Sequence, residues 1–257
     1  MFLFYAPDIA TGLTLPEAES QHCVRVLRKQ IGDLIDITDG QGHFYKAEIT
    51  GAHPKQCVVK ILETHQQPPL WHNRVEIAIA PTKNLDRVEW FAEKATEIGI
   101  DKITLLKTHH SERKDVKVDR IHKILIAAMK QSMKARVPEL QAMTAFKQFV
   151  QQPFDGQKYI AHCNSGDKTL LSELYASTIR GLRASTTLDM TPVKPAMTDK
   201  NALILIGPEG DFSEDEVAEA LKTGFQPVSL GETRLRTETA ALYALQTIHI
   251  INQLSNP

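Results

Sequence analysis

The chain has 257 residues, 42% of them hydrophobic, and a formal net charge of −1 at pH 7. That length and apolar content allow a large core, most simply divided between two domains. Near-neutrality argues against holding nucleic acid by bulk charge alone, and three cysteines (Cys23, Cys57, Cys163) without a CxxC pair exclude a disulfide framework or a thiolate metal site.

Residues 1–68 alternate short β-like runs, at 34–38, 44–49 and 57–62, with turns such as Asp39-Gly40-Gln41-Gly42, which predicts a small β-barrel. Gln66-Gln67-Pro68-Pro69 reads as a linker. Beyond it a strand is expected at 75–80 and a helix at 85–98 with Val88, Phe91, Ala92, Ala95 and Ile98 inward. A strand follows at 103–106, then a helix capped by Asp119 whose apolar face holds Ile121, Ile124, Leu125 and Ala128. Residues 181–200 lack either period, contain two prolines, and read as a flexible excursion. Strands alternating with helices imply a mostly parallel sheet.

The C-terminal stretch carries the sharpest signal. Residues 202–206 form a continuous apolar run, as in a strand buried on both faces. Gly207-Pro208-Glu209-Gly210 must break it, and Ser213 with Glu216 reads as a capping box for the next helix, which Gly224 stops. A second strand near 227–230 ends at another glycine turn, Gly231, and a final helix starts at about Thr239. Two such turns in succession, each at the carboxyl end of a strand, suit a ligand crevice. The GxGxxG and GxxxxGK[ST] fingerprints are absent, and Glu209, Asp211, Glu214, Asp215 and Glu216 would repel a triphosphate. A cationic or zwitterionic ligand held by backbone groups fits better.

Charge is unevenly placed. Residues 107–136 hold nine Lys/Arg against three Asp/Glu, and Arg25, Arg28 and Lys29 add a second basic group. Such runs are commonly solvated faces, but two of them on a near-neutral chain also suit phosphate tracking. The ten histidines show no HxxxH-type spacing, so no metal is expected. Without a signal peptide or a bilayer-length apolar run, the chain reads as a reduced cytoplasmic protein with no membrane partner.

GPEGDFS at 207–213 and LGETRLRTETA at 230–240 resemble the signature of the SPOUT, or trefoil-knot, methyltransferases. Within them the chain is similar to the bacterial family that methylates a 16S ribosomal RNA uridine at ring nitrogen 3. The resemblance continues through His22-Cys23-Val24-Arg25-Val26-Leu27-Arg28, Gly32-Asp33, KNLDRVEWFAEKATEIG at 83–99, Ser111-Glu112-Arg113, Gln131-Ser132 and Arg136-Val137-Pro138. Asp211 replaces a usual glycine, Arg234 a frequent aliphatic residue, and Met133-Lys134 a usual Gly-Arg. The resemblance implies an α/β fold: a PUA-like RNA-binding β-barrel at 1–68, then a mostly parallel methyltransferase domain at 71–257 ending in a trefoil knot. It implies S-adenosylmethionine as cofactor, 16S ribosomal RNA or the small ribosomal subunit as substrate, and a homodimer.

On that resemblance, the cofactor falls to His162, Ile206, Gly207, Glu209, Gly210, Leu230, Gly231, Leu235, Arg236, Thr239 and Ala240, and RNA to Arg25, Arg28, Arg113 and Arg136. Methylating a uridine nitrogen requires its proton to leave and charge on the ring oxygens to be stabilised. Arg236 is the candidate donor, since a guanidinium presents two N–H groups to one base edge. Glu238 and Glu209 are unranked candidate acceptors beside water or hydroxide. Glu238 has a structural reading too, favouring a helix N-terminus or pairing with Arg236. A knot methyltransferase for another base or a ribose hydroxyl, and a non-catalytic ribosome-assembly factor, stay open.

Overall fold

A computed structural model describes residues 2–71, 73–113, 115–184 and 201–255. The chain forms two compact units, Met1–Leu70 with Lys123–Val137, and Trp71–His122 with Pro138–Pro257. The first begins with strand β1 (Leu3–Tyr5), helices α1 (Ile9–Gly12) and α2 (Glu17–Gln21), and a π-helical turn at His22–Val26. Strands β2 (Leu34–Thr38), β3 (His43–Gly51) and β4 (Val58–Gln66) follow. They form one sheet in the order β1-β2-β3-β4, with a further bridge from Thr14 to Val58. Alternation does the sorting: Ile35 and Ile37 of β2 and Tyr45, Ala47 and Ile49 of β3 enter a core with Phe4, Ile9, Cys23 and Cys57.

The second unit is a seven-stranded sheet, parallel at every pairing. Its elements in chain order are β5 (Val75–Ile79), α3 (Leu85–Ile98), β6 (Lys102–Lys107), α4 (Val118–Gln131), β7 (Glu139–Ala145), α5 (Phe146–Val150) and β8 (Gln157–Ala161). Then come β9 (Thr169–Leu170), α6 (Leu171–Ala184), β10 (Ala202–Ile206), α7 (Glu214–Lys222), β11 (Gln226–Ser229) and α8 (Thr237–Ser255). From residue 123 onward α4 groups with the first unit. The strand order is β7-β6-β5-β10-β8-β11-β9. Every residue of β5 and β10 is buried, as expected of strands covered on both faces.

Local chemistry explains most of the predicted boundaries. Asn84 caps α3 by accepting from the Asp86 N–H, and Gly99 ends that helix at φ 117°. Ser213 and Glu216 form both halves of the capping box on α7. Several expectations need correction. Asp119 lies inside the first turn of α4, where its charge suits the helix dipole, rather than capping it. Ile98 is only half-buried, and Thr96 takes the interior place by donating to the Ala92 carbonyl at 2.7 Å. Helix α8 starts two residues earlier than expected, at Thr237. Residues 181–184 close α6, and 185–200 lie outside the described residues.

Helix α8 is pinned on its inner side. The Tyr175 hydroxyl donates to Asn252 at 2.9 Å and accepts from Asn73 at 3.2 Å. His249, 1% exposed, stacks on Trp71 with ring centroids 4.3 Å apart. No helix among the described residues is long and apolar enough to cross a membrane.

Burial pushes the His249 pKa down from 6.5 to about 4. The native state therefore holds fewer protons than the unfolded chain between those values, so this contribution to stability is complete above pH 6.5 and lost as pH falls toward 4. Chemical denaturation should show wild type losing about 2 kcal/mol more than His249→Phe between pH 7 and pH 5. Equal losses would remove His249 as the source.

Candidate functional site

Strand β10 pairs with β8 on one side and β8 with β11 on the other, so Ala161, Ile206 and Val228 lie side by side. The loops leaving these three strand ends enclose a cavity of about 670 Å³. That volume lies within the range of small-molecule sites, and the place is where open parallel sheets bind ligands.

The first turn is held by Asp211. Its N–H donates to the Pro208 carbonyl at 2.9 Å, closing the turn. Its Oδ1 accepts from the Phe212 N–H at 2.8 Å and its Oδ2 from the Cys163 N–H at 2.6 Å, which ties the end of β10 to the end of β8. Asp211 has φ 61°, a left-handed conformation normally left to glycine. Gly207 faces this turn closely: a Cβ there would sit 3.2 Å from Asp211 Oδ1 and from Phe212 N. A Cβ on Gly210 would meet His110 at 3.0 Å, and His110 Nδ1 donates to the Asp211 carbonyl at 3.0 Å. At the second turn Gly231 takes φ 118° with open space around it, so conformation rather than crowding requires glycine. Its N–H donates to Ser229 Oγ at 3.2 Å.

Of the predicted cofactor residues, His162, Ile206, Gly207, Glu209, Leu230, Gly231, Leu235, Arg236 and Ala240 line the cavity. Gly210, Thr239 and Glu238 stand off its wall: Gly210 packs under His110, Thr239 is exposed and Glu238 is buried. Lys168, Val228 and Thr237 are wall residues that sequence reasoning does not single out. Both ring nitrogens of His162 are buried without a hydrogen-bond partner among the described residues. Burial, then Lys168, lowers its pKa, so it offers a neutral imidazole. Orphaned polar atoms on the wall of a cavity call for a polar ligand.

Among the candidate catalytic groups, Arg236 is exposed on the cavity wall. Glu209 Oε1 accepts from the Lys83 N–H at 3.3 Å. Glu238, in the first turn of α8, turns to a different cation from the expected Arg236: its Oε1 lies 3.9 Å from Arg87 Nε. Arg87 Nη1 is also 3.7 Å from Glu209 Oε1. Arg87 thus joins two carboxylates of the C-terminal stretch, one from the turn after β10 and one from the first turn of α8. Sequence reasoning passes it over because the helix pattern there marks only the inward face.

The predicted RNA residues divide between the units. Arg25 lies in the π-helical turn and Arg28 follows it at φ 53°, both exposed. Arg136 belongs to the same unit, where its Nη1 donates to the Gln41 carbonyl at 2.9 Å and its guanidinium fills the space a Cβ on Gly42 would need. Arg113 belongs to the other unit, and its Nε donates to the Lys83 carbonyl at 2.9 Å. No cluster of three or more metal-ligating side chains occurs among the described residues.

A family model for an RNA methyltransferase domain matches residues 69–249, and one for an RNA methyltransferase PUA domain matches residues 15–62. A solved structure of a probable rRNA-methyltransferase from Porphyromonas gingivalis is 40% identical, covers 99% of both chains and superposes with a TM-score of 0.84. A candidate methyltransferase from Legionella pneumophila, solved in complex with the bound cofactor SAM, is 27% identical, covers 97% of both chains and gives a TM-score of 0.76. The ribosomal RNA small subunit methyltransferase E of Bacillus subtilis is 26% identical over 251 residues, 95% of this chain and 92% of its own. The chain belongs to the RNA methyltransferase family, with the two-part organisation and SPOUT-like sheet of the ribosomal RNA small subunit methyltransferases E.

Proposed function

We propose that the protein transfers a methyl group from S-adenosylmethionine to ring nitrogen 3 of a uridine in 16S ribosomal RNA. The observation that carries this reading is the 670 Å³ cavity at the ends of β8, β10 and β11, walled by two glycine turns, by Arg236 and Glu209, and by His162, whose ring nitrogens are buried without a hydrogen-bond partner among the described residues. The SAM-bound Legionella relative supports the cofactor, and the rRNA names of the relatives support the substrate. His162 and the backbone of Ile206, Gly207, Leu230, Gly231 and Leu235 would hold the cofactor, with Ala240 at the start of α8. When bound, it supplies an electrophilic methyl group on a positively charged sulfur.

The remaining steps belong to the protein. Alignment matters most, because displacement at the methyl carbon proceeds in line. Arg236 would steady the negative charge that spreads onto the uracil oxygens. Glu209, the one of the two carboxylates that lines the cavity, would take the N3 proton directly or through water. In this reading the threaded C-terminal segment is what brings Arg236 and Thr237 to the cavity. The first unit would supply the RNA grip: it carries Arg25, Arg28 and Arg136, and it also exposes Val26 and Ile31 by 67% and 68%. Apolar side chains among cations suit unstacked bases between phosphates.

Labelled donor incubated with small ribosomal subunits, followed by mass mapping of 16S RNA, should place the methyl group on uridine nitrogen 3. A methylated ribose or another base would redirect the assignment. Gly207→Val should weaken S-adenosylmethionine binding about 100-fold or more by calorimetry, since the added methyl groups meet Asp211 and Phe212. Wild-type affinity in that variant would relocate the cofactor.

Charge reversal at Arg28 and Arg136 should lower RNA affinity and reduce the slope of log K against log salt by about one per lost phosphate contact. An unchanged slope would exclude these side chains from the RNA path.

We also propose a homodimer. After Glu238, α8 carries no Asp, Glu, Lys or Arg through Ser255, yet Tyr243, Ile250 and Leu254 are exposed on it. A long uncharged outer face of this kind suits a second copy of the chain. Light scattering should give twice the 28.8 kDa chain mass for wild type and the single mass for Ile250→Asp combined with Leu254→Asp. A monomeric wild type would end the dimer proposal.

A further inference from the structure

Four stretches that are distant in the sequence meet around Arg87, on the outer side of the first turn of α3. Glu209 comes from the turn after β10, Glu238 from the start of α8, and Arg113 from the segment after β6. Arg113 fixes Lys83 through its carbonyl, Lys83 gives its N–H to Glu209, and Arg87 then reaches Glu209 and Glu238 with different nitrogens. Asn84, the cap of α3, sets the start of the helix that carries the guanidinium.

The two carboxylates are held unequally. The Glu238 side chain is only 9% exposed, and its Oε2 is buried without a hydrogen-bond partner among the described residues. Arg87 is the one cation within ion-pair distance of it among those residues. A buried carboxylate normally fills both oxygens with donors, and a half-filled one marks either strain or a place kept for a donor that arrives later. Glu209, by contrast, is largely exposed on the cavity wall. At 3.7 and 3.9 Å neither contact is a tight fork, so the guanidinium keeps N–H capacity unspent. Reactive groups are often held loosely before substrate arrives and tighten with it.

We propose that Arg87 is a positioning residue for methyl transfer: anchored by the buried Glu238, it holds Glu209 on the cavity wall as the acceptor for the proton leaving the target nitrogen. The inference rests on the reading of the protein as an S-adenosylmethionine-dependent methyltransferase. The step balances: the nitrogen–methyl bond forms as the carbon–sulfur bond breaks, the sulfur leaves as a neutral thioether, and the proton of the nitrogen passes to the carboxylate. Positive sulfonium and negative carboxylate become two neutral products. A lysine would offer both carboxylates one compact ammonium, whereas the guanidinium turns a separate nitrogen to each.

The test compares wild type with Arg87→Gln, Arg87→Lys and Glu238→Gln, using labelled S-adenosylmethionine and small ribosomal subunits in single turnover. Affinity for S-adenosylmethionine is measured by calorimetry and affinity for the subunits by filter binding. Arg87→Gln should slow methyl transfer about 100-fold while both affinities stay within about threefold of wild type. Arg87→Lys should recover about a tenfold part of that loss, which a purely space-filling role would not produce. Glu238→Gln should slow transfer to the same order, and serves as the deciding variant if Arg87→Gln does not fold. A rate within about threefold of wild type in Arg87→Gln, or in Glu238→Gln, would overturn the inference, as would a rate loss matched by an equal loss of cofactor affinity. Failure of the wild type itself to bind cofactor or methylate RNA would overturn the underlying reading as well, so the two failures are told apart by the wild-type lane.

Discussion

Asp211 sits where the backbone turns left-handed, and its carboxylate is shared between the N–H groups of Phe212 and Cys163. The whole cavity hangs on that bridge. A non-glycine residue in this conformation costs roughly 1–2 kcal/mol. Hydrogen bonds to an ionised group contribute roughly 1.5–3 kcal/mol each, so two of them outweigh the strain. The same balance explains why an aspartate is tolerated in a conformation that suits glycine: glycine meets the conformational demand alone, whereas aspartate meets the demand and ties two strand ends together. Gly207 must then stay bare, because the space its Cβ would take is already the Asp211 side chain.

Helix α8 couples this turn to the rest of the second unit. Its inner side is held by the Tyr175–Asn252 hydrogen bond and by His249 on Trp71, while its first turn brings Thr237 to the cavity and Glu238 to Arg87. One rigid element therefore sets the distance between the cavity wall and the carboxylate beside it. Burial on the inner side leaves little freedom at the end that matters for chemistry, which is how a site gains precision from packing.

Short-range features are legible in the residues themselves. The buried run at 202–206, the capping box at Ser213 and the helix at 85–98 all appear where periodicity and capping place them, because each depends on neighbours within a turn or two. Helix α6 carries the same kind of signal, since Leu171, Tyr175 and Ile179 are buried at a spacing of four, but the prolines beyond it dominate the pattern of that region. Arg87 and the Asp211 bridge are not legible in this way. The bridge spans 48 positions and the reach from Arg87 to Glu238 about 150, and no local pattern records which strand ends a fold will bring together. The pairing of Glu238 belongs to the same class, since its partner Arg87 lies on α3.

The place of β10 in the sheet bears on how the protein is made. Its hydrogen-bonding partners, β5 and β8, are synthesised first, yet neither pairs with the other, because the strand between them comes from residues 202–206. Until that segment leaves the ribosome, β5 waits with one open edge and β8 with two, the condition that invites mispairing in nascent chains. Closure then demands contacts across more than 120 residues, which makes the final step slow by the loop it must close. This RNA methyltransferase thus completes its own central strand only late in its passage through a ribosome.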